Sequence, residues 1–469
     1  MTKINWTEEV NKRKKALIQD TQAFLRIKSV LDEENATPKA PLGEGIQEAL
    51  QFMLNKGQED GFVVKDVEHL AGHIEMGSGD DILGVLCHVD VVPEGDGWSS
   101  DPYGAEIRDG KIFARGVLDD KGPTMAAYYA MKIVKELGLP LSKRVRMILG
   151  TDEESEWRCV DTYFKHEEMP TLGFAPDADF PIIYAEKGIW DFYIKQAPNL
   201  ESGESNIEVI EYAAGRRFNM VPDYAKAILQ ITGEMKPTQE AFEQFLTSQN
   251  VKGTSYVDGN QLILEVEGVS AHGMEPKNGV NAGLQLASFL NHLVLSKHAQ
   301  EYFAFVAKYL SESRGNAFDI AFNHPEIGDV TLNVGILQYS KQNGGQIGVN
   351  LRYPTTYDFD GAKDKLTATL KENHFALITL SHSEPHHVEA DSFLVQTLSK
   401  VYEGQTGEKA ELIAIGGGTY ARSLEAGVAF GPLFPGREDI AHQKDEYMYI
   451  EDLFKATALY AEAIYELAK

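Results

Sequence analysis

The chain has 469 residues, 43% of them hydrophobic and 25% charged, a globular composition that excludes disordered and collagen-like classes and leaves length for two or three domains. Its 71 Asp plus Glu against 44 Lys plus Arg give a net charge of −27, which argues against nucleic acid and membrane surfaces as partners. Cys87 and Cys159 are too few for a disulfide framework, the N-terminal stretch lacks a signal-peptide apolar region, and no apolar run reaches the ~18 residues of a membrane span, so a cytoplasmic protein is expected.

Apolar spacing at Val10, Leu17, Phe24 and Leu25 predicts a helix over residues 8–29, and residues 43–54 read as a second. Short strands are expected at 62–67 and 72–76, and a strongly apolar one within DILGVLCHVDVV, residues 81–92. Residues 122–138 read as a helix, with Pro123 in the first turn and Gly138 as its stop. RVRMILGT, residues 144–151, is another buried strand, and LGFAPDADF, residues 172–180, carries a further short one. This alternation predicts an α/β fold: a mixed, largely parallel sheet sandwiched by helices.

After about residue 187 the texture changes. Residues 190–195, 207–215, 262–268, 330–340 and 347–354 alternate as half-buried antiparallel strands, with helical stretches at 238–249 and 281–295 between them. From about residue 384 the first pattern returns: a helix near 393–402, a strand at 411–415, the GGGTYAR loop and a last helix near 453–467. The reading is one domain in two parts, 1–187 and 385–469, with an α+β domain inserted at 188–384.

Ligands of open α/β sheets gather at the carboxyl ends of the strands. Five segments put metal-type side chains in such places, and each has an ordinary explanation by itself. His88-Val89-Asp90 ends the strongest strand, where a buried structural histidine is the commoner case. Asp119 and Asp120 precede a helix, as N-caps do. Glu153-Glu154 follow the strand RVRMILG; adjacent carboxylates there repel unless a cation or a proton intervenes, but they also suit the opening of a helix. Asp177 and Asp179 suit a turn, and His442 lies in a polar loop where a surface histidine is the default.

Their order decides among these readings. His-x-Asp, then Asp, then Glu-Glu, then Asp and a distant His, in the phrases CHVDVVPEG, ARGVLDDKGP, GTDEESEW, FAPDADFPI, GVSAHG and GGGTYAR, resembles the two-metal family of aminoacylases, glutamate-type carboxypeptidases and carnosinase-like dipeptidases. The bacterial peptidase V-type dipeptidases are the most similar branch. The resemblance implies two divalent ions bridged by Asp119, one completed by His88 and Asp177 and the other by Glu154 and His442. It further implies Glu153 as general base, Asp90 as the partner of the His88 ring, and a lid His272 that stabilises the oxyanion. Asn219 and Arg352 match residues that hold the bound dipeptide, while Gly417 and Gly418 let backbone approach the ligand.

Zinc is the family default, with manganese or cobalt as alternatives. Two ions ~3.5–4 Å apart can hold hydroxide and polarise a carbonyl, so the residue types suit the chemistry. The inserted segment, 188–384, the lid by this resemblance, has room for two lobes in one chain, as in the peptidase V arrangement, and the resemblance so implies a monomer. The expected function is therefore hydrolysis of unblocked dipeptides, β-alanyl and Xaa-His dipeptides among them. An N-acyl-amino-acid amidohydrolase and an inactive peptide-binding protein are the alternatives; an intact Glu153-Glu154 pair argues against the last. Cys87 reads as a small buried apolar residue, as free cysteine usually is.

Overall fold

A computed structural model describes residues 4–198 and 205–469, so the first three residues of the N-terminal reading and residues 199–204 of the expected insertion lie outside it. The chain divides into two compact units. One contains the described residues up to Ala185 together with His387–Ala414 and Thr419–Lys469; the other contains Glu186–His386 and Ile415–Gly418.

The first unit is built on a nine-stranded sheet. At its centre Arg144–Gly150, Ile82–His88, Leu172–Ala175 and Gly427–Ala429 run parallel in that spatial order. Every residue of Ile82–His88 is buried, which requires covering layers on both faces and explains why the run is continuously apolar rather than alternating. Helix Lys121–Glu136 makes the crossover from Ile82–His88 to Arg144–Gly150 and packs beside the C-terminal helix Ile450–Ala468. Antiparallel strands extend the sheet: Ala71–Met76 and Val63–Val67 on one side, Ile182–Glu186 on the other.

The helix expected at residues 8–29 is two, Trp6–Asn11 and Lys14–Leu25. They break at Arg13, whose φ of −114° leaves helical geometry and whose guanidinium donates to the Glu9 carbonyl at 2.7 Å and the Glu136 carboxylate at 2.8 Å. The chain after Leu25 is extended enough for the buried Ser29 hydroxyl to donate to the Val89 carbonyl at 2.6 Å.

The second unit is an eight-stranded antiparallel sheet with one hydrophobic core. It has two four-stranded halves. Lys252–Asp258, Gln261–Glu267, Tyr224–Ile231 and Ile207–Ala214 make the first; Thr331–Ser340, Gly344–Tyr353, Gly188–Gln196 and Phe375–Ser383 make the second. The halves meet along a short ladder that pairs Tyr212, Ala213 and Ala214 with Tyr339, Gln338 and Leu337. Helices Lys236–Gln249, Ala282–Asn291, Lys297–Tyr309 and Phe359–Glu372 bury their apolar sides in the shared core.

Candidate metal centre

The parallel strands of the first unit end together, and the candidate ligands follow from those ends. His88 is the last residue of Ile82–His88, Glu153 and Glu154 come just after Arg144–Gly150, and Asp177 just after Leu172–Ala175. Asp119 precedes helix Lys121–Glu136, and His442 comes from the loop before helix Ile450–Ala468.

Asp119 is the centre of the cluster. Its Oδ1 lies 2.9 Å from His88 Nε2 and its Oδ2 lies 2.9 Å from His442 Nε2. One carboxylate therefore turns an oxygen to each imidazole, as a bridging ligand would. Asp177 Oδ1 stands 3.7 Å from His88 Nε2, and Glu154 Oε1 stands 3.1 Å from His442 Nε2. Donor atoms of His88, Glu153 and Asp177, and likewise of His88, Asp119 and Glu154, lie within 4.8 Å of one another. The peptide between Asp119 and Asp120 is cis.

Charge balance tests whether a cation suits this place. Burial, then the Asp177 charge, pushes the Glu153 carboxyl well above the usual carboxylate range. Burial, then Asp119, raises Asp177 to about 7 and also raises Glu154. His442 is held up at about 11 by its hydrogen bonds to Asp119 and Glu154. His88 is raised as well: burial opposes its cation, but Asp177 and Asp119 outweigh it. Asp119 alone is depressed, because bonds from His442 and His88 outweigh its burial. Apart from this central carboxylate, these groups bind protons more tightly than in water, so the cluster is short of positive charge. Two imidazoles among buried oxygens are also the donor set that zinc, manganese or cobalt take. The residues fit a pair of divalent ions.

The supports differ from the ordinary explanations. Asp120 stands at the N-cap position of helix Lys121–Glu136, yet its side chain makes no cap bond. Its Oδ2 instead accepts from the His88 backbone N–H at 3.1 Å and from the Thr124 hydroxyl at 3.0 Å, bracing the strand end. Glu153 and Glu154 open no helix either. The next helix, Arg158–His166, starts after Trp157 in the left-handed region at φ 60°, and Asp152 makes the bonds there, accepting from Arg158 N at 3.0 Å and Arg158 Nε at 2.7 Å. Asp90 serves two ligands. The His88 ring Nδ1 donates to the Asp90 carbonyl at 3.0 Å, with the carboxylate Oδ1 at 3.4 Å, while Asp90 Oδ2 accepts from the Glu154 backbone N–H at 3.0 Å. The sequence reading made Asp90 the partner of the His88 ring; in the fold its carbonyl is the nearer atom and its carboxylate reaches across to Glu154.

The remaining candidates belong to the second unit. His272 Nδ1 accepts from the Met274 backbone N–H at 3.2 Å, which leaves the proton on Nε2, and burial and Arg352 lower its pKa, so the ring is a neutral donor. Asn219 lies beside it: Gly273 N donates to the Asn219 carbonyl at 2.7 Å. The buried Asn333 amide donates to the carbonyls flanking Asn219, Phe218 at 2.7 Å and Met220 at 3.0 Å, and so fixes that bend. Arg352 is 4% exposed, with Nε donating to Asn350 Oδ1 at 2.8 Å and Nη1 to the Gly416 carbonyl at 2.6 Å. Gly417 is next along the chain. A Cβ there would meet only Ile415 Cδ1 at 3.7 Å and Arg352 Nη1 at 3.9 Å, so the unit's own packing does not demand glycine.

The sequence profile of Peptidase family M20/M25/M40 matches residues 84–466. The chain belongs to this peptidase family. Over 99% of its length it is 54% identical to the YtjP protein of Bacillus subtilis, covering 100% of that protein. Over 98% it is 47% identical to a Staphylococcus epidermidis protein, covering 99% of it; both are named "Putative dipeptidase". Among solved structures it is similar in fold to the aminoacylhistidine dipeptidase of Vibrio alginolyticus, at a TM-score of 0.61 and 12% identity, with 97% of each chain covered. For this M20 peptidase, sequence reasoning took Asp120 for no more than a cap and passed over Asp152, because an Asp before a helix or after a strand carries the signature of a cap whichever backbone group it holds. It also passed over Asn333, which gives no sign within a strand of what it grips.

Proposed function

We propose that this chain is a metal-dependent dipeptidase that hydrolyses the peptide bond of unblocked dipeptides, β-alanyl and Xaa-His dipeptides included. The observation that carries the reading is the Asp119 carboxylate with one imidazole on each oxygen, in an M20 peptidase whose nearly full-length relatives bear a dipeptidase name. In this reading His88, Asp119 and Asp177 hold one ion and Asp119, Glu154 and His442 the other, zinc by preference and manganese or cobalt as alternatives. Bound there, such a pair supplies a nucleophilic water at neutral pH and Lewis-acid polarisation of the scissile carbonyl.

The chain's own residues supply the proton transfers and the orientation. Glu153 takes a proton from the attacking water and returns it to the departing amine. Asp90 keeps the His88 ring and the Glu154 backbone in register. His272 donates its Nε2–H to the oxygen that becomes negative in the tetrahedral intermediate, a task for a neutral imidazole. Arg352, its plane set by Asn350 and Gly416, pairs with the substrate carboxylate together with Asn219. Backbone at Gly417 and Gly418 lies against the ligand, consistent with a glycine that packing does not require.

We read residues 188–384 as the lid and residues 1–187 with 385–469 as the catalytic domain. We read the protein as cytoplasmic, and as a monomer, since one chain carries both four-stranded halves of the second unit; light scattering of the purified protein should return 52.0 kDa. The test of function is hydrolysis of one dipeptide against its N-acetylated twin, with protein stripped of metal and reloaded with zinc or manganese. Fast cleavage of the free dipeptide, only with metal, is the expected result. Preference for the blocked twin would place the chain among the acylases, and no turnover of either with both ions bound would leave a peptide-binding protein.

A further inference from the structure

We infer that Arg115 and Glu446 are positioning residues that hold Asp119 and His442 at ligating distance, and so govern binding of the ion pair, most of all the ion on the His442 side. The inference rests on the two-metal reading above and adds to it the device that builds the second half of the site.

Glu446 is fully buried and Arg115 is 1% exposed. Glu446 Oε2 accepts from Arg115 Nη1 at 2.6 Å and from Gly116 N at 3.2 Å; Oε1 accepts from Leu118 N at 2.8 Å and from Asp119 N at 3.4 Å. Donors from the whole stretch leading to Asp119 therefore converge on one carboxylate. Arg115 Nη2 carries the tie onward to the Glu94 carbonyl at 3.2 Å and the Pro93 carbonyl at 3.5 Å, in the loop after Asp90. The Glu446 carbonyl accepts from Ala114 N at 3.1 Å, fastening the same two segments a second time.

The segments so joined are the ones that bring Asp119 and His442 together. Neither would hold its shape alone. His442 and Asp445 both sit in the left-handed region, at φ 64° and 58°, which costs a non-glycine residue free energy that the surroundings must offset. Gly116 has φ +82°, and a Cβ there would lie 2.5 Å from Val91 Cγ1. Stability is a poor reason for the pair, since a buried ion pair is often no better than apolar side chains of equal volume. The His88 side of the cluster is braced by other means, through its strand, Asp90 and Asp120. Asp119 serves both ions and His442 only one, so loosening Glu446 should weaken both and the His442-side ion more.

The experiment is calorimetric titration of the metal-free full chain with zinc, comparing wild type, Glu446→Gln and Arg115→Lys. The glutamine has one acceptor oxygen, so its amide nitrogen must face two of the N–H donors. The lysine keeps the charge but cannot reach Glu446 and the two carbonyls at once, and it stands in if the glutamine variant fails to fold. Wild type should bind two ions. Each variant should bind one ion about 10–100-fold more weakly, the range for losing a group that supports a ligand, and the other with a clearly smaller loss, with activity regained in excess zinc at an unchanged KM. Equal weakening of both ions, or a lower melting temperature with both affinities intact, would overturn the inference. A wild type that binds two ions yet cleaves no dipeptide would refute the functional reading and leave this one standing; a wild type that cannot bind two would end both.

Discussion

Glu153 and Glu154 are neighbours in sequence and face different tasks in the fold. The Glu154 backbone N–H is taken by Asp90 and its Oε1 by His442, while Glu153 stands with His88 and Asp177, its carbonyl accepting from Trp157 Nε1 at 2.6 Å. A turn makes this division available, because successive side chains leave it in different directions. Glu153→Gln removes the proton acceptor with almost no change of shape. It should keep both ions, by elemental analysis, and lower kcat by roughly 10²–10⁴-fold, the usual worth of a general base. Loss of an ion in the variant would make Glu153 a ligand and require another base.

At the scale of elements, His73 shows how a buried strand responds to pH. It lies in Ala71–Met76, 4% exposed, with Nδ1 2.8 Å from the Tyr163 hydroxyl of helix Arg158–His166. Burial, then the nearby Arg146 charge, lowers its pKa to about 4, and Glu167 at 3.9 Å does not compensate. Between about pH 6.5 and 4 the unfolded chain binds a proton here that the native state refuses. Stability should thus fall as pH drops through that window, by up to roughly 3 kcal/mol from this group, and be independent of it above pH 6.5. Urea unfolding of His73→Gln should show a shallower loss than wild type across the window; parallel curves would show that His73 charges freely in the native state.

What the sequence disclosed about these elements follows from how each is buried. Ile82–His88 stood out as an apolar run up to its final histidine, and Arg144–Gly150 as a mostly apolar one, because both faces are covered. Gly427–Ala429 escaped notice, although it lies beside Leu172–Ala175 in the central sheet, because three residues cannot display a period. Helix Phe359–Glu372 buries only Ala362, Leu366 and Leu370, too sparse a stripe to distinguish from a polar connection. Strand Phe375–Ser383 pairs with Gly188–Gln196 at the sheet edge, where exposure removes the alternation a reader needs. The candidate ligands were legible because five such segments follow one another in the order of a known family, although each alone has an ordinary explanation. Their braces were not, because a hydrogen bond to a backbone group leaves no mark on residue type.

The whole chain carries a net charge of −27, and it concentrates four carboxylates, Asp119, Glu153, Glu154 and Asp177, around two imidazoles where water is scarce. Without metal, protons supply part of the missing positive charge: His442 is held up at about 11 and Asp177 at about 7. Ligands must be deprotonated to bind a metal, so loading must expel those protons. Two consequences can be measured on one sample. Zinc added to metal-free protein near pH 7 should acidify a weakly buffered solution in step with binding, and affinity should fall as pH is lowered. The loaded protein should also melt at a higher temperature than the stripped one, since an ion that binds only the native state stabilises it by about 2.7 kcal/mol at a free concentration 100 times its Kd. Stoichiometric binding with no proton release would mean that the imidazoles and carboxylates are already deprotonated in the metal-free chain, with some other cation balancing the charge.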